Sequence, residues 1–126
     1  MSAKPAPGSI GWIDLTVPDA PAVRDFYRRV AGWEHDEVSM GSYSDYAMKP
    51  PGDSPIAGIC HAQGVNAGVP PCWLIYITVA NLDESMRRAL AAGGAVIHGP
   101  RDLGGHGRFC IVRDPAGAAA GLFQPA

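Results

Sequence analysis

Long hydrophobic runs are missing from this chain: no segment approaches the roughly 20 consecutive apolar residues of a membrane-spanning helix. That argues against a membrane partner. An excess of positive charge is missing too. Ten Lys and Arg against 12 Asp and Glu leave a formal charge of −2, which gives no electrostatic footprint for nucleic acid. Cysteine is sparse. Cys60, Cys72 and Cys110 form an odd set without zinc-type spacing, which fits a reducing, cytoplasmic setting better than a disulfide framework. The opening MSAKPAPGS has no apolar core, so residues 1–9 read as a loose tail and not as a secretion signal.

What is present is a repeat. WIDLTVPD at 12–19 returns about 62 residues later as LIYITVAN at 74–81, with Thr16 and Val17 matching Thr78 and Val79. Gly32 returns as Gly94, and AGIC at 57–60 returns as AGLF at 120–123. Two degenerate copies of one supersecondary unit imply a pseudo-symmetric fold with its site between the copies. The length of 126 residues suits a single domain with enough apolar surface for a core.

Each copy reads the same way. Residues 10–17 alternate and are rich in β-formers, which predicts a strand. Asp19 caps a helix that tolerates Pro21 in its first turn. Val23, Phe26, Tyr27 and Val30 form one apolar stripe, and Gly32 ends the helix. Strands are expected near 33–39, 43–49 and 55–62, with PPGDSP (50–55) turning between the last two. Unit one thus spans about 10–62 and a linker 63–72. Unit two, about 73–125, repeats the order: a strand at 73–79, a helix at 82–92 capped by Asn81, and strands near 95–99, 108–113 and 118–124. The fold class is α+β, βαβββ twice.

Strand alternation then sorts the faces. Ile13, Leu15 and Val17 share one face, as do Ile75, Ile77 and Val79, and these should pack under the helices. Trp12, Asp14 and Thr16, with Leu74, Tyr76 and Thr78, share the other. Rings around one carboxylate are the composition of a ligand pocket, mostly apolar with a few orienting polar groups.

WIDLTVPD, a helix bearing Phe26-Tyr27 and Gly32-Trp33, and a second copy ending DPAGAAAGLFQ (114–124) resemble the vicinal oxygen chelate superfamily, which includes glyoxalase I, extradiol dioxygenases and bleomycin-resistance proteins. The resemblance runs from about 10 to 125. It implies paired βαβββ units forming a curled mixed sheet around a cavity, with helices outside, and commonly a homodimer. It also implies four symmetric metal-ligand positions, which fall on Trp12, on or near Gly58, on Leu74 and on or near Gly121. None of those side chains binds a divalent ion. No metal or other cofactor is therefore expected, the alternative being a divalent metal held by shifted ligands such as Asp14, Cys60 or His61.

Asp14, desolvated between Trp12 and Tyr76, is the candidate general base. Cys60 should point into the cavity, whereas His61, its neighbour on the strand, should point away, which makes a poor nucleophile pair. Tyr43 and Tyr46 both compete for a cavity position that alternation leaves open, and Tyr46 joins the candidate set. The expected ligand-binding residues are Trp12, Tyr46, Cys60, Leu74, Tyr76 and Phe123. Trp33 and Trp73 read as packing residues, and His106 with Arg108 as a glycine-rich hairpin tip. The leading expectation is a metal-independent protein that binds a small organic molecule. The alternative is a lyase, isomerase or epimerase with Asp14 as base, with a metal-dependent glyoxalase or dioxygenase behind it.

Overall fold

The computed structural model describes residues 5–126, so the part of the expected loose tail at 1–4 lies outside the described residues. The chain forms two compact units. One runs from Trp12 to Trp73; the other joins the residues up to Gly11 to Leu74–Ala126.

The first unit holds β1 (Ile10–Val17, from Trp12 onward), α1 (Ala20–Ala31), β2 (Glu34–Ser39), β3 (Ser44–Lys49) and β4 (Ala57–His61). Its hydrogen-bonded order is β2-β3-β4-β1, with β1 parallel to β4 and the other pairs antiparallel. The second unit holds β5 (Leu74–Thr78), α2 (Leu82–Ala91), β6 (Ala95–Asp102), β7 (Gly107–Arg113) and β8 (Ala119–Pro125). Its order is β6-β7-β8-β5, with β5 parallel to β8. The two units have the same topology, and the fold is α+β with mixed strand pairing.

Local chemistry explains the boundaries. The Asp19 carboxylate accepts from the Ala22 N–H at 3.2 Å at the start of α1, and Gly32, at φ 72°, takes the left-handed conformation that closes it. Asn81 caps α2 by accepting from the Glu84 N–H at 3.0 Å. β6 runs past the expected stop at Gly99. It is an edge strand, where Pro100 forfeits no ladder bond, and two register shifts carry it on to Asp102.

Two expectations need correction. Residues 8 and 9 are not a loose tail: the Gly8 N–H donates to the Thr78 carbonyl at 2.7 Å, and the Thr78 N–H to Ser9 at 2.8 Å. This edge pairing is why residues up to Gly11 belong with the second unit. The α1 stripe is also narrower than its periodicity suggests. Val23 and Tyr27 pack on the core of Ala20, Tyr46, Met48 and Ile59, while Phe26 and Val30 stay exposed.

The aromatic residues of the first unit form a packed corner. The rings of Tyr27, Trp33 and Trp73 lie 5.4–5.9 Å apart, and the Trp73 indole donates to the Tyr27 hydroxyl at 3.0 Å. Trp33 and Trp73 are packing residues. Among the described residues, no helix is long and apolar enough to cross a membrane.

Candidate functional site

The site is set by one register fact. In the parallel β1–β4 pair, Asp14 lies opposite Gly58 and Thr16 opposite Cys60. Glycine at 58 makes room for the carboxylate: a Cβ there would stand 2.2 Å from Asp14 Oδ1 and 3.1 Å from Trp12 Nε1. Cys60, one strand over and two residues on, places its Sγ 3.3 and 3.5 Å from the two Asp14 oxygens. Trp12, Asp14 and Cys60 are thus brought together, as alternation implies.

Burial pushes the Asp14 carboxyl up from its ordinary 3.8 to about 6; hydrogen bonds from the Cys60 thiol and the Trp12 side chain offset part of the rise, and the charge of Asp45 adds to it. A carboxylate in this state is ionised near neutral pH yet holds a proton at slightly acidic pH, the range useful for moving one. The Cys60 thiol is driven the other way from reactivity. Burial first, then the negative charges of Asp14 and Asp45, hold its proton on far above the usual thiol range. It is a donor here and not a nucleophile.

Asp45 and His61 extend the cluster. Asp45 is 5% exposed, and its Oδ1 accepts from the His61 backbone N–H at 2.8 Å and contacts the His61 ring at 3.2 Å. Its charge also acts on the Cys60 thiol. Sequence reasoning named Cys60 and His61 but missed Asp45. The available signal was the strand SDYAMK itself, in which Asp45, Ala47 and Lys49 alternate with Tyr46 and Met48.

That alternation also corrects Tyr46. It lies opposite Ile59, on the face turned to α1, and is 7% exposed in the core with the Arg24 guanidinium 4.7 Å above its ring. The face bearing Asp14, Gly58 and Cys60 is the other one. The Tyr43 ring sits 5.2 Å from that of His61.

In the second unit, Tyr76 lies opposite Gly121, and a Cβ on that glycine would stand 2.3 Å from the Tyr76 ring. Phe123 lies opposite Phe109 on β7 and opposite Thr78 on β5. Tyr76 meets the Phe109 ring edge-on at 6.2 Å, while Leu74, Phe109 and Ile111 are at most 2% exposed. Leu74 is thus a core residue of its unit, while Tyr76, packed on Phe109, and Phe123 are half-buried. The glycine-rich hairpin beyond β6 borders an open groove of about 460 Å³ edged by Gly105, Arg108 and Gln124. Its cation is already engaged, since Arg108 pairs with Asp83 and Asp102.

The residues present do not fit the divalent ion of metal-dependent family members. The strand positions at Gly58 and Gly121 carry no donor, and the space above them holds the Asp14 carboxylate and the Tyr76 ring. Among the described residues, no three His, Cys, Asp or Glu side chains are arranged to hold a metal ion.

The fold agrees with the comparisons. The profile of the Glyoxalase/Bleomycin resistance protein/Dioxygenase superfamily matches residues 9–121, and the chain belongs to that family. It is 34% identical over 119 residues to "Putative glyoxylase CFP32" of Mycobacterium bovis, covering 93% of this chain and 46% of that protein. It is 31% identical over 131 residues to "Anthracycline biosynthesis protein DnrV" of Streptomyces peucetius, covering 94% and 48%. The chain thus spans about half the length of these curated relatives. Among solved structures, it resembles methylmalonyl-CoA epimerase from Mycobacterium tuberculosis with a TM-score of 0.55 at 18% identity, covering 100% of this chain and 93% of that one. The Streptomyces coelicolor epimerase in complex with 2-nitronate-propionyl-CoA matches with a TM-score of 0.56 at 17% identity, covering 96% and 99%. At such identities the likeness shows the fold.

Proposed function

We propose that this chain binds a small organic molecule on the Asp14 face of its first unit, without a metal. The observation that carries the reading is the Asp14 carboxylate itself, half-buried opposite Gly58 and held by the Cys60 thiol. A polar group desolvated among apolar neighbours and still reachable is what orients a ligand. Trp12, 37% exposed, supplies apolar surface next to it. The test is NMR mapping with a neutral aromatic probe, 2-naphthylmethanol. Shifts centred on the Trp12 indole N–H and on Asp14, Gly58 and Cys60 are expected. Shifts confined to the hairpin groove near Arg108, or to Tyr76 and Phe123, would contradict this placement.

A second reading is favoured by the Asp14 carboxyl at about 6. In it, the chain is an isomerase, epimerase or lyase in which Asp14 removes a proton from bound substrate. The fold shared with methylmalonyl-CoA epimerases is compatible with such chemistry, though fold alone does not assign a reaction. A cytoplasmic homodimer completes the proposal. Support for a second copy comes from exposed Ile10, Phe26 and Val30, and light scattering in solution tests it.

A further inference from the structure

Among the described residues, Asp14 has hydrogen-bond donors and no counter-ion. The ion pairs among the described residues engage Asp25, Asp36, Asp45, Asp83, Glu84 and Asp102, and none reaches Asp14. A half-buried carboxylate is thus left without a cation. Charge distribution sharpens the point. The unit Trp12–Trp73 carries eight Asp and Glu against four Lys and Arg, a formal charge of −4; the remainder carries four against six, or +2. An ionised carboxylate removed from water without a partner is costly, and a bound cation removes that cost. Beside it stands Trp12, whose Nε1 borders the same space above Gly58, and the residue stays 37% exposed, so part of its surface is open to a ligand.

We infer that the Asp14 face takes an amine-bearing aromatic molecule, its ammonium group on the Asp14 carboxylate and its ring against the Trp12 indole. The first contact is a charge-assisted hydrogen bond to the cation and the second an aromatic contact of ring on indole. The Cys60 thiol aims the carboxylate by donating to it, and because it keeps its proton it adds no competing anion. The equivalent place in the second unit, Tyr76 over Gly121, offers no charge. The inference rests on the Asp14 face being a ligand site, and it names the class of ligand.

The test is calorimetric titration near neutral pH with two probes of one shape, 2-naphthylmethylammonium and 2-naphthylmethanol. The ammonium probe should bind about tenfold more tightly, the difference between a charge-assisted and a neutral hydrogen bond. Asp14→Asn, which keeps the volume and removes the charge, should abolish that preference. Gly58→Ala, which pushes the carboxylate aside, should reduce it. Equal binding of both probes, unchanged in Asp14→Asn, overturns the inference and leaves the ligand-site reading standing. Binding of neither probe at millimolar concentration overturns both.

Discussion

In the first unit Asp14 lies opposite Gly58; in the second, Tyr76, its counterpart in the repeat, lies opposite Gly121. The glycine does the same work in both. Each opens the space above a strand that a Cβ would fill, with 2.2 Å to the carboxylate in one case and 2.3 Å to the ring in the other. What enters that space differs. Tyr76 meets Phe109 and joins a wall of residues almost fully buried, so its contribution is packing. Asp14 meets a thiol and an indole, in a unit of opposite formal charge, so its contribution is electrostatic. One backbone device, used twice, yields a structural face and a chemical face. The difference lies in a single side chain and not in the topology.

The largest effect that tests this contrast should come from the two glycines. Gly121→Ala should cost roughly 3 kcal/mol in chemical denaturation, the upper end of overpacking penalties, because a whole ring must move. Gly58→Ala should cost about half as much, because the atom met first is the end of a carboxylate with solvent nearby. Equal costs, or the reverse order, would break the comparison.

The pH dependence of stability comes next. Since Asp14 is raised from 3.8 to about 6, the native state binds more protons than the unfolded chain between those values. Its contribution is therefore fully favourable below about pH 4, falls as pH rises towards 6, and is flat above. Asp14→Asn should remove a decline on the order of 2 kcal/mol relative to the parent, measured as the difference between their denaturation midpoints across this range. Asp25 and Glu84, held low by hydrogen bonds from Arg24 and Arg87, act in the opposite sense, so the paired difference is the informative quantity. A parallel pH profile for the two proteins would remove the electrostatic side of the contrast.

The smallest effect concerns the thiols. Iodoacetamide at mildly alkaline pH should label exposed Cys72 first. Buried Cys110, its thiol raised to about 11, and Cys60, raised further, should lag by mass spectrometry. Fast labelling of Cys60 would mean that it is not held as a donor to Asp14.

Much of this was legible in the residues, and the reasons are specific. The helix caps Asp19 and Asn81 and the closing Gly32 act through local hydrogen bonding and backbone dihedrals, which sequence carries directly. The face shared by Asp14 and Cys60 follows from period-two alternation in strands located to within two residues. Tyr46 was misplaced because its strand was weighed as a pair of tyrosines. The alternation of Tyr46 and Met48 against Asp45 and Ala47 puts it in the core. The pairing of Asp45 with His61 depends on cross-strand register between β3 and β4, which no local pattern encodes. The edge pairing of residues 8 and 9 with Thr78 is likewise a long-range bond from a segment whose composition reads as a tail.

The most direct measurement is a carbon-13 NMR titration of the Asp14 carboxyl, free and saturated with 2-naphthylmethylammonium. A midpoint near 6 in the free protein, moving down when the ammonium ion is bound, is the predicted result. A midpoint at the ordinary 3.8 that ignores the probe would contradict the account, for Asp14 would then be one more solvated surface acid.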